Sequence, residues 1–173
     1  MKIVNKSLAG CFVLSGVGLI GCDRLQERIN IIFYGGTTAG YNRCIENNQH
    51  TSLSPEALNN QCRSRYAKRL PIKVEGQATY QLLGTARLSG WIENTSKSTV
   101  ITSYVVRLTN IANKDNAGKP IPEYYSFDGR WIEPGNMDSF ETDELKFVPS
   151  EPPKKGDWTW FVSEVKGLEI VLR

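Results

Sequence analysis

Histidine is almost missing from this chain: His50 is the single one among 173 residues. That absence excludes most hydrolytic designs, because Ser-His-Asp and Cys-His mechanisms need an imidazole base beside the nucleophile. His50 lies in a polar stretch, "NNQHTSLS", and reads as a surface residue. No serine occupies a Gly-x-Ser-x-Gly elbow. One histidine and the few cysteines are too few ligands for a zinc site. Gly35, Gly36 and Gly40 lack the Gly-Lys-Ser/Thr ending that a phosphate loop requires. "NKDNAG" at 113–118 is only a loose echo of a calcium loop. Asp138, Glu141, Asp143 and Glu144 crowd together in sequence, but a glycosidase needs two acids facing across a cleft. A solvated strand edge, guarded against edge-to-edge pairing, accounts for them. There is no internal repeat, and the apolar run Leu8–Ile20 is shorter than the ~20 residues of a membrane span. No catalytic residue, metal or cofactor is expected, and the chain does not read as an enzyme.

What is present begins at the N-terminus. Lys2 and Lys6 precede "LAGCFVLSGVGLI", an uncharged apolar stretch with the proportions of a secretory signal peptide. Glycines at 10, 16, 18 and 21 make it a poor helix for a water-soluble core. It ends in Leu19-Ile20-Gly21-Cys22, which resembles the lipobox of bacterial lipoproteins. That resemblance implies removal of residues 1–21, a thioether-linked lipid (and palmitate) on Cys22, and anchoring to a membrane without spanning it. An earlier match, "LAGC" ending at Cys11, has no apolar segment before it. Asp23 resembles the signal that retains such proteins at the periplasmic face of the inner membrane. Losing Lys2 and Lys6 takes the formal net charge from +3 to +1, so the chain has no basic excess suited to nucleic acid.

With Cys11 removed and Cys22 lipidated, Cys44 and Cys62 remain. Export puts them in an oxidising compartment, where a leftover pair is expected to form a disulfide. Residues 22–40 read as a tether, and 41–71 as a helical hairpin. Tyr41, Cys44 and Ile45 share one helical face. Ser54 is a cap, Pro55 a first helical residue, and Glu56 suits the positive helix end. Leu58, Cys62, Tyr66 and Leu70 then step by four until Pro71 stops the run. "YNRCIENN…LSPEALNNQCRSRYAKRL" resembles a cysteine-paired helical hairpin of exported bacterial proteins, a likeness that implies architecture rather than chemistry. Arg63, Arg65, Lys68 and Arg69 crowd its second half, as a solvated face or a contact for anionic lipid headgroups.

From residue 72 to 173 the period changes to that of strands. "TARLSGWIENTS", "STVITSYVVRLTNI", "EYYSFDGRWIEPG", "MDSFETDELKFV" and "DWTWFVSEVKGLEIVLR" are β-branched or aromatic, and turn residues separate them. Spacing of this kind predicts a mainly β fold, an Ig-like antiparallel sandwich preceded by the hairpin. Asn94-Thr95-Ser96 reads as a turn rather than a glycosylation site. Gly90, Ile92, Asn94-Thr95-Ser96, Val100–Leu108, Gly118, Glu133-Pro134-Gly135 and Phe140 together resemble the FxLYD-type family of envelope β-sandwiches. "YVVRLTN" stands where that family has its Phe-x-Leu-Tyr-Asp signature. The likeness implies protein contact or spacing in the envelope. Tyr124, Tyr125, Trp131, Trp158 and Trp160 are the candidate binding residues if they share an exposed face, and core residues if they do not. The expected role is therefore non-catalytic protein binding or assembly at a membrane face, with a carbohydrate- or peptidoglycan-binding module as the alternative.

Overall fold

The computed structural model describes residues 35–71, 74–81, 86–149, 154 and 156–171. The signal peptide, Cys22 and most of the tether lie outside the described residues.

Helix α1 runs Thr38–Asn48 and α2 runs Pro55–Tyr66. Both begin on a hydroxyl cap: Thr37 accepts from the Gly40 amide at 3.2 Å and Ser54 from the Ala57 amide at 3.2 Å. The cap supplies a partner for an amide that the helix itself leaves orphaned. A disulfide joins Cys44 to Cys62 with a Cα separation of 5.7 Å. The tether reading extends too far, because Gly36 is already tied into the fold. Its amide donates to the Tyr66 carbonyl at 2.6 Å, and its carbonyl accepts from Glu169 at 2.7 Å.

Helix α2 also stops four residues short of the expected Leu70. Ala67 is extended, and Lys68–Arg69 form a strand, β1, opposite Gly167 and Lys166. The reason is competition for hydrogen bonds. Pro71 disfavours a helical Leu70, and the free edge of a neighbouring strand offers a ladder instead, with the Leu70 amide donating to Val165 at 2.9 Å.

The remaining strands are β2 Glu75–Gln81, β3 Arg87–Glu93, β4 Thr99–Lys114, β5 Pro120–Phe127, β6 Met137–Glu141 and β7 Trp158–Glu169. They form two antiparallel sheets, ordered β1-β7-β4-β5 and β2-β3-β6, packed as an Ig-like sandwich. The core between them holds Leu88, Ile92, Ile101, Tyr104, Val106, Leu108, Phe127, Phe140 and Val165. Tyr104 stacks on Phe127 at 5.1 Å, and its hydroxyl crosses to the other sheet to donate to Asp138 at 2.9 Å. Gly90 is needed where it stands: a Cβ there would lie 2.1 Å from the Gln77 carbonyl oxygen and 2.9 Å from the Phe140 ring.

The simple alternation expected along β4 is broken. Ile101 and Tyr104 both enter the core although they differ in parity, because the register with β7 shifts between Ile101 and Ser103. A bulge of this kind inserts a residue and exchanges the faces beyond it. The strand expected to continue through Val148 ends at Glu141. Beyond it the Thr142 and Leu145 amides still donate to the carbonyls of Leu88 and Ala86, at 2.9 and 2.8 Å, and the amides of Lys146 and Phe147 then turn to the buried Glu123 carboxylate at 3.0 and 3.2 Å. The strand signal in "IKVEG" at 72–76 reaches β2 only at Glu75 and Gly76; the rest, "QATYQ", carries little apolar signal and lies at a sheet edge.

The helical hairpin does not stand apart. Cys44, Leu58, Cys62 and Tyr66 pack on Leu168 of β7 as a second small core. Leu168 shares its side of β7 with Lys166, the side opposite the core residue Val165. The hairpin therefore covers one end of the outer face of the four-stranded sheet, and the other described residues leave the rest of it open.

Candidate binding surface

The five candidate aromatics do not come together. Tyr125, Trp158 and Trp160 are half-buried against the sandwich core, with Trp158 5.8 Å from Tyr80 and Trp160 5.8 Å from Phe140. The Tyr125 hydroxyl is committed to the Glu123 carboxylate. Burial, then that hydrogen bond, pushes its pKa well above the ordinary tyrosine value. Trp131 lies by the hairpin, 5.2 Å from Tyr41 and beneath the Arg63 guanidinium at 5.4 Å. Tyr124 alone stands on the outer sheet face, 52% exposed.

Register supplies its neighbours. Arg107 of β4 is opposite Tyr124 on one side and Phe161 of β7 on the other. Residues directly opposite in a ladder share a face, so the three form a row across β5, β4 and β7. The Arg107 guanidinium lies 5.2 Å from the Phe161 ring centre and 5.9 Å from that of Tyr124. Phe161 is 47% exposed. Neither Arg107 nor Phe161 was legible as a binding residue. The one signal was a charge set inside the apolar strand "SYVVRLTN", and the ring that flanks it from β7 is invisible without the pairing.

Along the same face, towards the hairpin, lie Val105 with Ser126 and Glu164, and then Ser103 with Lys166. Lys166 is in turn opposite Arg69 of β1. Where α2 overhangs this end, a groove of about 420 Å³ opens, lined by Asn60, Arg63, Ser64, Ser103, Asp128 and Lys166 among others. That is within the size range of small-ligand sites. Arg63 donates to the Gly129 carbonyl at 2.7 Å. Lys166 sits 3.5 Å from Glu164. The basic cluster is thus divided: Arg63 turns into the groove, while Arg65, Lys68 and Arg69 are exposed on α2 and β1.

The acidic stretch makes no cleft. Asp138 is taken by Tyr104, Glu141 by Arg87, and Asp143 and Glu144 are exposed. Among the described residues no group of three or more His, Cys, Asp and Glu side chains could hold a metal ion. Asp115 of "NKDNAG" turns its carboxylate onto the amides of Ala117 and Lys119, at 2.9 and 2.8 Å. Asn94 is fully buried and donates to the carbonyls of Thr99 and Ile132, at 2.7 and 2.8 Å. It is the turn residue it was expected to be. His50 is exposed in the loop between the helices. No helix among the described residues is long and apolar enough to cross a membrane.

No family model, curated protein or solved structure matches the chain.

Proposed function

We propose that this protein is a lipid-anchored component of a bacterial cell envelope that docks another envelope protein on the uncovered half of its outer sheet face. Anchoring is through Cys22, at the periplasmic face of the inner membrane given Asp23, and the role is non-catalytic. The single observation that carries the docking role is the Phe161–Arg107–Tyr124 row. Two large exposed rings with a half-buried arginine between them, on a sheet face that the other described residues leave open, are the residue types that anchor protein interfaces. The Cys44–Cys62 bond supports export, because such bonds persist in oxidising compartments. The hairpin fits the role of a brace, since its own small core sits on Leu168 and borders the docking face. The FxLYD likeness, which implies protein contact in the envelope, points the same way.

A sugar-binding platform has less to support it. Stacking on a glycan needs several ring faces on one surface, and the five aromatics are split between the core side, the hairpin and the outer face.

Photocrosslinking in living cells tests the reading. A photoreactive phenylalanine analogue replaces Tyr124 or Phe161 in the full anchored chain, with Trp158 as the inward-facing control. A discrete adduct to an envelope protein from the two outer positions, and none from Trp158, is expected. Absence of adducts from the outer positions, or equal adducts from all three, overturns it. For the anchor, Cys22→Ala releases the chain from membranes; continued detergent-dependent partitioning refutes that part.

A further inference from the structure

Two arginines border this face, and they are held in the same way. Arg107 is fenced between Phe161 and Tyr124, and Arg63 lies over Trp131. Each has a buried Nε without a hydrogen-bond partner, and among the described residues neither has a carboxylate partner. Stacking on aromatic rings restricts the guanidinium before any ligand arrives and strips part of its water. The ordering and desolvation costs of binding are thereby met in the fold. What such a group lacks is an acid, which a guanidinium binds with paired, charge-assisted hydrogen bonds.

Arg63 stands at the hairpin end of the open face and Arg107 further along it. Arg63 lines the groove with Lys166, whose register partner on β4 is Ser103. Arg107 is four residues further along that strand, a span of about 13 Å. An extended chain covers the same distance in about four residues. Among the described residues, the acids along this face are Glu164, engaged by Lys166, and the exposed Asp128. They leave the two arginines unmatched.

Resting on the docking reading above, we propose that the partner presents an extended acidic segment. One of its carboxylates seats on Arg107 between Phe161 and Tyr124, and a second, about four residues away, enters the groove onto Arg63 and Lys166. A flat anionic bilayer fits less well, because Arg63 turns into the groove and Glu164 lies between the two cations along the sheet. A sugar fits less well, because Arg107 lies against the inward faces of both exposed rings.

The test uses the full chain in detergent micelles and a fluorescein-labelled peptide with two glutamates four residues apart in a Ser/Thr background. Fluorescence anisotropy is read at low and high salt. Binding is expected, with loss in the glutamine version of the peptide and weakening as salt rises. Arg107→Gln and Lys166→Gln should each weaken it about tenfold, and Arg107→Lys should recover only part. Should Arg63→Gln unfold the groove, the exposed Lys166 still reports on that end. Equal binding of the glutamine peptide, or no change in Arg107→Gln, overturns the proposal. So does binding to phosphatidylglycerol vesicles, but not to the peptide, that Arg107→Gln abolishes. If the acidic peptide fails while Tyr124 still crosslinks an envelope protein, only the acidic chemistry falls. Failure of both removes the docking reading with it.

Discussion

Replacing Asn94 with alanine removes a side chain with no solvent exposure and three hydrogen bonds. It donates to the carbonyls of Thr99 and Ile132 and accepts from the Ser96 amide at 3.1 Å. These bonds join the β3–β4 turn to the segment around Ile132, which the Ile101 amide also holds, at 3.0 Å. Ile132 thus keeps a donor after truncation, whereas the Thr99 carbonyl loses its bond from Asn94. Three lost bonds at about 1 kcal/mol net each come to about 3 kcal/mol, and a buried acceptor left unpaired costs about 1–3 kcal/mol more, so Asn94→Ala should cost about 4–6 kcal/mol. Asn94→Asp is the sharper probe. It keeps size and the acceptor, but it turns a carboxylate oxygen onto two carbonyl oxygens. The folded state then prefers the protonated acid, which raises the aspartate pKa above its unfolded value of about 3.9. The penalty is complete above the folded-state pKa and shrinks as pH falls through it, because protonation restores a donor. Urea unfolding followed by tryptophan fluorescence at pH 8, 6 and 4 measures both variants. Asn94→Ala within about 0.5 kcal/mol of the parent would refute the reasoning, as that is the range of an ordinary surface change. A deficit for Asn94→Asp that is constant across this pH range would refute it equally.

Reducing Cys44–Cys62 opens a loop of 18 residues and should cost about 3 kcal/mol, read as a lower denaturation midpoint in reductant; an unchanged midpoint would show that the hairpin needs no staple. Gly90→Ala must displace both the Gln77 backbone and the Phe140 ring and should destabilise by about 1–3 kcal/mol, checked by the same melts; a stability within about 0.5 kcal/mol of the parent would refute the close approach. Tyr104 and Tyr125 are both held above the ordinary tyrosine pKa, by burial first and then by hydrogen bonds to Asp138 and Glu123. The fold binds those protons more tightly than the unfolded chain does, so stability should fall as pH rises past about 10. The decline should be shallower in Tyr104→Phe and Tyr125→Phe, and an identical decline would refute the assignment. Trp158→Ala should destabilise the sandwich and leave the outer face intact, whereas Phe161→Ala should do the reverse; the comparison pairs thermal melts with crosslinking from Tyr124.

Much of this fold is written in short stretches of chain, where the deciding forces are local. Ser54-Pro55-Glu56 starts a helix because an orphaned amide needs an acceptor within three residues. Cys44 and Cys62 meet because each lies on the apolar side of its helix. The long β4 is legible as a run of β-branched and aromatic residues. Other features depend on partners that are distant in sequence. Lys68–Arg69 became a strand because β7 offered an edge, and a bulge in β4 sent Ile101 and Tyr104 to the same side. The division of Tyr124, Tyr125, Trp158 and Trp160 between the core side and the outer face followed from strand register. A strand side chain has only two directions available, and a slip of one residue exchanges them. Arg107 is the plainest case: its charge is visible in the sequence, but the rings on either side belong to β5 and β7, and only the assembled sheet puts the three in one row.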